Sequence, residues 1–250
     1  MSCADPEDPC QLPFELGPDP PLSPVTSDTW QAGLRLGGEQ LRGEAVGYWS
    51  EVKNDIFNVV DLETPTRGFF TNLERTRRLG LELSAEAMPF RGEHELTITG
   101  SLGWTRATFE SSAVLAAPFL DEDEQGAPPE VEPGDRFPMV PEFSVSAGVA
   151  YAFFRTSVAL QALWVGEQFL IGDEGNEAPF KKLDRYSLVD LRVEHRIGQA
   201  MAYLELSNLL DQRYSPFGII SRNVRGAEEE VERIPHARSP TNAARGAEGP

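Results

Sequence analysis

The sequence predicts an all-β fold, an antiparallel meander of about eight strands forming part of a transmembrane β-barrel wall, partial and not closed. Three observations carry that prediction. Wherever the sequence is periodic its period is two, the connections between periodic segments alternate between short and long, and Gly and Pro, at 22 and 20 residues, exceed what helical folds carry.

The segments follow in chain order. Trp30, Ala32, Leu34 and Leu36 alternate with Gln31, Gly33 and Arg35, and 41–51 repeats the pattern more weakly. In 78–87 Leu79, Leu81, Leu83, Ala85 and Ala87 share one parity, while Arg78, Gly80, Glu82, Ser84 and Glu86 take the other. In 95–106 Leu96, Ile98, Gly100, Leu102 and Trp104 alternate with Thr97, Thr99, Ser101, Gly103 and Thr105. Phe143, Val145, Ala147, Val149, Tyr151 and Phe153 alternate with smaller residues, and Val158, Leu160, Ala162 and Trp164 follow. Val189, Leu191 and Val193 alternate with Asp190, Arg192 and Glu194, and Ala202, Leu204 and Leu206 with Tyr203, Glu205 and Ser207. In a strand such alternation places all the apolar side chains on one face.

Short connections at 37–40, 88–94, 154–156 and 196–198 are the length of hairpin turns, whereas 52–77, 107–142 and 169–185 are expected as long loops. Tight turns at one end and long loops at the other describe an outer-membrane barrel, and strands of this length match the 9 to 11 residues that cross a bilayer at about 45°. Aromatic residues near segment ends, Trp30, Trp49, Phe90, Trp104, Tyr151, Phe153 and Trp164, suit interfacial girdles. The alternative is a small stand-alone β-barrel or a secreted β-sandwich acting as a binding module or adhesin, since a sandwich also has an apolar inner face. Small residues on the apolar parity, such as Ala45, Gly47, Gly100 and Ala162, favour lipid over a close-packed core.

Composition narrows the function. Lys plus Arg number 22 and Asp plus Glu 40, so the formal charge is 22 − 40 = −18. Such a polyanion lacks the basic footprint that neutralises phosphates, which argues against nucleic acid and anionic lipid headgroups as partners. The longest charge-free stretch, 143–154, is 12 residues, short of the about 20 that a transmembrane helix needs. The first basic residue is Arg35, so no secretory signal peptide is expected.

Four motifs, in order, resemble the C-terminal β-barrel portion of a TonB-dependent outer-membrane receptor. Asn72-Leu73-Glu74-Arg75-Thr76-Arg77-Arg78-Leu79-Gly80-Leu81-Glu82-Leu83 is similar to that family's asparagine, basic stretch and Gly-x-Glu strand. Asp135-Arg136-Phe137-Pro138-Met139-Val140-Pro141 resembles its Pro-rich strand entry, Tyr186 to Arg192 its Tyr-x-x-x-Asp strand, and Ser207 to Tyr214 its Asn-x-x-Asp-x-x-Tyr element. The resemblance runs from about Cys3 to Gly218. It implies a cell outer membrane location, contact with outer-membrane lipid, and uptake of a small-molecule ligand such as a metal chelate, with TonB engaged only through a plug. Similar proteins build their barrel from about 22 strands.

The segmentation is then 1–28 as an extracellular-loop-like stretch with a Cys pair, 29–218 as the barrel fragment, and 219–250 as a low-information tail without aromatics or alternation. The signal peptide, plug and last strand of a full receptor are expected to be missing and the fragment inactive alone. With the stretch read as an extracellular loop, Cys3 and Cys10 are expected to pair as a disulfide.

Chemistry-bearing motifs are scarce. No catalytic, cofactor or zinc constellation is expected: His94, His195 and His236 stand beside no nucleophile signature, and no phosphate-binding glycine loop occurs. Asp121, Asp123, Gln125, Gly126 and Glu132 follow EF-hand spacing, but Pro128 and Pro129 interrupt it, so a solvated acidic loop is the expectation over calcium. Phe69, Phe70 and Phe119 are the loop aromatics that face a ligand if any do. Leu79, Leu81, Leu83, Leu96, Ile98, Leu102, Val189, Leu191, Val193, Leu204 and Leu206 are expected to face lipid.

Overall fold

The computed structural model describes residues 15–16, 21–60, 67–115, 130–176, 182–218 and 247–248, and among them every regular element is a strand. In chain order these are β1 (Glu15–Leu16), β2 (Thr26–Gly37), β3 (Leu41–Val60), β4 (Arg67–Phe90), β5 (His94–Phe109), β6 (Ala113–Val114), β7 (Glu130–Val131), β8 (Phe143–Phe153), β9 (Thr156–Val165), β10 (Tyr186–Ile197), β11 (Ala200–Leu206) and β12 (Ala247–Glu248).

Eight of these, β2, β3, β4, β5, β8, β9, β10 and β11, pair antiparallel with their chain neighbours to form one sheet. The two-residue β12 pairs with β11 at one edge, β1 lies parallel to the start of β4, and β6 and β7 form a separate ribbon. No pairing joins β2 to β11 among the described residues, so the sheet is open.

Register converts alternation into a two-sided sheet. Leu41, Ala87, Ile98, Val149, Leu160, Leu191 and Leu206 form one row across seven strands, and Leu34, Ala45, Leu83, Leu102, Val145 and Trp164 another. The opposite face carries rows such as Arg42, Glu86, Thr99, Gly148, Gln161 and Asp190. A register shift between Ala87 and Phe90, where Pro89 has no N–H to give the ladder, inserts one residue and returns Phe90 to the apolar face opposite Leu96.

From Leu79 to Phe90 the apolar face of β4 spans 11 steps, about 36 Å of strand at about 3.3 Å each. At a tilt of about 45° that is about 26 Å of height, close to the about 25 Å apolar band of membrane barrels.

The expected loops differ in length from those observed. Most of 52–77 is strand, because β3 runs to Val60 and β4 begins at Arg67. Alternation fails there for a local reason: Asn54 has a left-handed φ of 56° and interrupts the regular pleat, a conformation Asn tolerates better than most residues. In 107–142 the strand continues to Phe109 and the β6–β7 ribbon follows. Within 169–185 Leu183 bridges back to Gln168.

Candidate functional site

Buried side chains gather at the end bearing the long connections. Leu73, Phe109, Leu115 and Val131 form the core cluster, with Phe57, Ala113 and Phe137 packed against it. Residues 134–137 fold back along the end of β5: the Phe109 N–H donates to the Asp135 carbonyl, the Gly134 N–H to the Phe109 carbonyl and the Phe137 N–H to the Ala107 carbonyl. This places three rings together, with centroid distances of 4.5 Å for Phe109–Phe137, 5.2 Å for Phe57–Phe109 and 5.4 Å for Phe57–Phe137.

A charged group lies against that aromatic floor. The regular register gives Asp55 the parity of Trp49 and Leu79, yet past Asn54 its carboxylate reaches the other face. There Asp55 Oδ2 accepts hydrogen bonds from Thr76 Oγ1 at 2.7 Å and Arg78 Nη2 at 2.8 Å, and the Arg78 guanidinium sits 5.1 Å from the Phe137 ring centre. Thr76 is fully buried, so this is a fixed arrangement in a partly desolvated place.

A second knot holds the next long connection. Asn176 accepts from the Arg136 N–H at 2.7 Å and donates back to the Arg136 carbonyl at 2.9 Å, a side-chain amide acting as a strand partner. Arg136 pairs with Glu142 at 2.6 Å, and both Arg136 and Lys182 lie on the Phe169 ring, at 5.0 and 4.1 Å. Beside it burial raises the Glu174 carboxyl above its usual range, opposed by the Gly172 N–H, which donates to it at 2.9 Å.

The polar residues singled out by the four motifs act as clasps. Asn72 accepts from the Ser23 N–H at 2.6 Å and donates to the Ser23 and Asn54 carbonyls at 3.0 and 2.7 Å. Asp190 accepts from the Asn208 N–H at 2.8 Å, Asn208 and Gln212 exchange two bonds, and Tyr186 stacks on Tyr214 at 4.7 Å. Gly80 lies beneath the Tyr48 ring, whose hydroxyl reaches Thr105 Oγ1 at 3.1 Å.

Of the candidate ligand aromatics, Phe70 stands exposed near the start of β4; the Phe69 side chain and all of Phe119 lie outside the described residues. So do Cys3, Cys10, Asp121, Asp123, Gln125 and Gly126. Glu132 is described, exposed in the turn after β7, with its N–H bonded to Asp135. The structure brings Leu79, Leu81, Leu83, Leu96, Ile98, Leu102, Val189, Leu191, Val193, Leu204 and Leu206 onto one face. Sequence reasoning missed the aromatic cluster: Phe57 and Phe109 lay in stretches expected as loop, and Phe137, although inside the Pro-rich motif, carried no sign of its ring partners.

Comparison with known proteins places this architecture. The family model described as TonB dependent receptor-like, beta-barrel matches residues 8–209. Similar solved structures include a copper transporter, OprC, at 18% identity and TM-score 0.60, covering 82% of this chain and 28% of that one. The siderophore receptor PiuA from Acinetobacter baumannii aligns at 15% identity and TM-score 0.58, over 78% and 26% of the two chains. The ferric yersiniabactin uptake receptor FyuA from Yersinia pestis aligns at 18% and 0.57, over 80% and 27%. The chain spans under a third of the length of each.

Proposed function

Because the chain belongs to the TonB-dependent receptor-like β-barrel family, we propose that it forms part of the wall and outer rim of an outer-membrane barrel for nutrient uptake. The observation that supports this reading best is the two-sided sheet, apolar on one face over a bilayer's height and polar on the other, with the buried core cluster at the long-connection end. An apolar surface of that extent is covered in the working protein, and acyl chains fit its height and its mixture of large and small residues.

In this reading the polar face lines the lumen and the knotted connections form the outer mouth. The cargo is a small molecule of the metal-chelate class, by analogy with the copper transporter and the siderophore and ferric yersiniabactin receptors of similar fold, and Phe70 is a candidate contact. Energy coupling through TonB belongs to a plug domain rather than to these strands. The edge at β2 and the part of β11 that the two-residue β12 leaves uncovered require neighbouring strands, because an unpaired backbone group in hydrocarbon costs several kcal/mol.

Intrinsic fluorescence tests the reading, since all four tryptophans, Trp30, Trp49, Trp104 and Trp164, lie on the apolar face. In micelles of a detergent with brominated alkyl chains their emission is expected to be strongly quenched, and aqueous iodide to quench weakly. Strong iodide quenching with no effect of bromine would defeat it.

A further inference from the structure

The edges of the sheet are far more open than its middle. On β2 the outward Trp30, Leu34 and Leu36 are 74%, 77% and 69% exposed, against 37%, 38% and 39% for Leu79, Leu81 and Leu83 on β4. No strand pairs with the free side of β2 among the described residues, and the two-residue β12 covers only Met201 and Ala202 of β11. Both edges therefore carry ladder groups that hydrocarbon leaves unsatisfied.

Strand direction limits what can fill them. β2 runs from the long-connection end to the short turn at 38–40, and β11 from the short turn at 198–199 back to the long-connection end. One copy's β11 laid beside another's β2 is thus antiparallel, with both copies upright and both apolar faces outward. Pairing β2 with β2 fails on either two-fold axis: normal to the sheet it inverts one copy in the bilayer, and along the strand it turns one apolar face to the lumen. The same holds for β11 with β11. Height then fixes the register. The row through Leu41 starts beside the short turn and meets β11 at Leu206, its far end, so the strands lean and the next β2 is met higher on the wall. By the hairpin register that row falls on Gly38 of β2. Setting Trp30 against Leu206 is a step of eight residues over eight strands, a tilt of about 35°, within the range of closed barrels.

We propose that a second copy of this chain docks its β11 on β2, head to tail, and that three copies close a ring. This rests on the barrel-wall reading above. In that register small residues meet large ones: Ala32 opposes Leu204, Leu34 opposes Ala202 and Leu36 opposes Ala200 on the apolar face. On the lumen face Gly33 opposes Tyr203, as Gly80 opposes Tyr48 within each copy. Polar groups complement as well. The Gln31 amide stands opposite the Glu205 carboxylate, and β2 brings the Arg35 cation to an edge where β11 brings that anion. Incoming Met201 and Ala202 exchange the short β12 for a full strand. Head-to-tail contacts close into rings, and three copies of the eight-stranded wall bring 24 strands, near the about 22 that the family resemblance implies. The wall already superposes on the OprC barrel over 82% of this chain.

The test refolds the full chain in dodecyl maltoside and reads its stoichiometry by native mass spectrometry, where three copies are expected. Oxidative cross-linking then reads the contact in a Cys3→Ser/Cys10→Ser background, since opposed residues of an antiparallel pair stand within disulfide reach. A mixture of chains carrying only Gln31→Cys with chains carrying only Glu205→Cys should form a covalent dimer, and each alone should not. Met201→Cys, four residues from Glu205, should fail to join Gln31→Cys. A monomer or any stoichiometry other than three would overturn the ring. So would self-cross-linking of either single variant, a dimer through Met201→Cys in place of Glu205→Cys, or closure within one chain when both cysteines share it. Circular dichroism matching the parent shows that each variant keeps its sheet. Failure of bromine quenching strikes the lipid-facing reading itself, whereas intact quenching with a monomer strikes only this inference.

Discussion

The Tyr48 ring lies across Gly80 on the neighbouring strand, occupying the space where a Cβ would stand, and its hydroxyl bonds to Thr105 one strand further on. Three strands are thereby tied on the polar face without a charged group. Gly80→Ala must displace the ring, and overpacking of this kind costs about 1 to 3 kcal/mol. Tyr48→Phe should lose only the hydroxyl bond, about 1 kcal/mol. Denaturant unfolding in detergent checks both, and the Tyr48→Ala background should make Gly80→Ala nearly neutral.

Two ion pairs of similar appearance should differ in worth. Arg35 and Glu44 are 3.1 Å apart with side chains 77% and 39% exposed, so breaking them by Glu44→Gln should leave stability essentially unchanged. The Asp55 carboxylate is 17% exposed and accepts from both Arg78 and buried Thr76, so Asp55→Ala should cost about 1.5 to 3 kcal/mol. The same unfolding measurement on both variants decides the order.

Glu174 gives the outer connections a pH dependence. Burial raises its folded-state value above the ordinary 4.5, so the folded form holds its proton more tightly than the unfolded form. Stability contributed by the neutral carboxyl is then present below 4.5 and falls as pH rises through the raised value, after which it is level. Thermal unfolding across this range should show that decline in the parent chain and lose it in Glu174→Gln.

Legibility followed the physics of each region. The strands between Leu79 and Phe90, and their partners, were readable because one face is uniformly apolar, which imposes period two. Beyond the Trp49 row charged residues enter that same face, so the ends of β3 and β4 read as loop although they pair as strand. The motif residues Asp190 and Asn208 stood out singly, but nothing in the sequence says that one bonds the other across 18 positions. The cluster of Phe57, Phe109 and Phe137 was hidden for the same reason, being assembled from three separate stretches by a foldback.

The central claim is that the apolar face meets lipid and its reverse meets water. Leu83 lies near the middle of the β4 band, between Ala45 and Leu102, and Glu82 beside it points the other way, in a row with Val46 and Gly103. With the chain reconstituted in bilayers as part of a complete barrel, Leu83→Lys should cost about 2 to 4 kcal/mol of unfolding free energy and Glu82→Lys much less. Equal costs at the two positions, or a larger cost at Glu82, would contradict the assignment of faces on which the account stands.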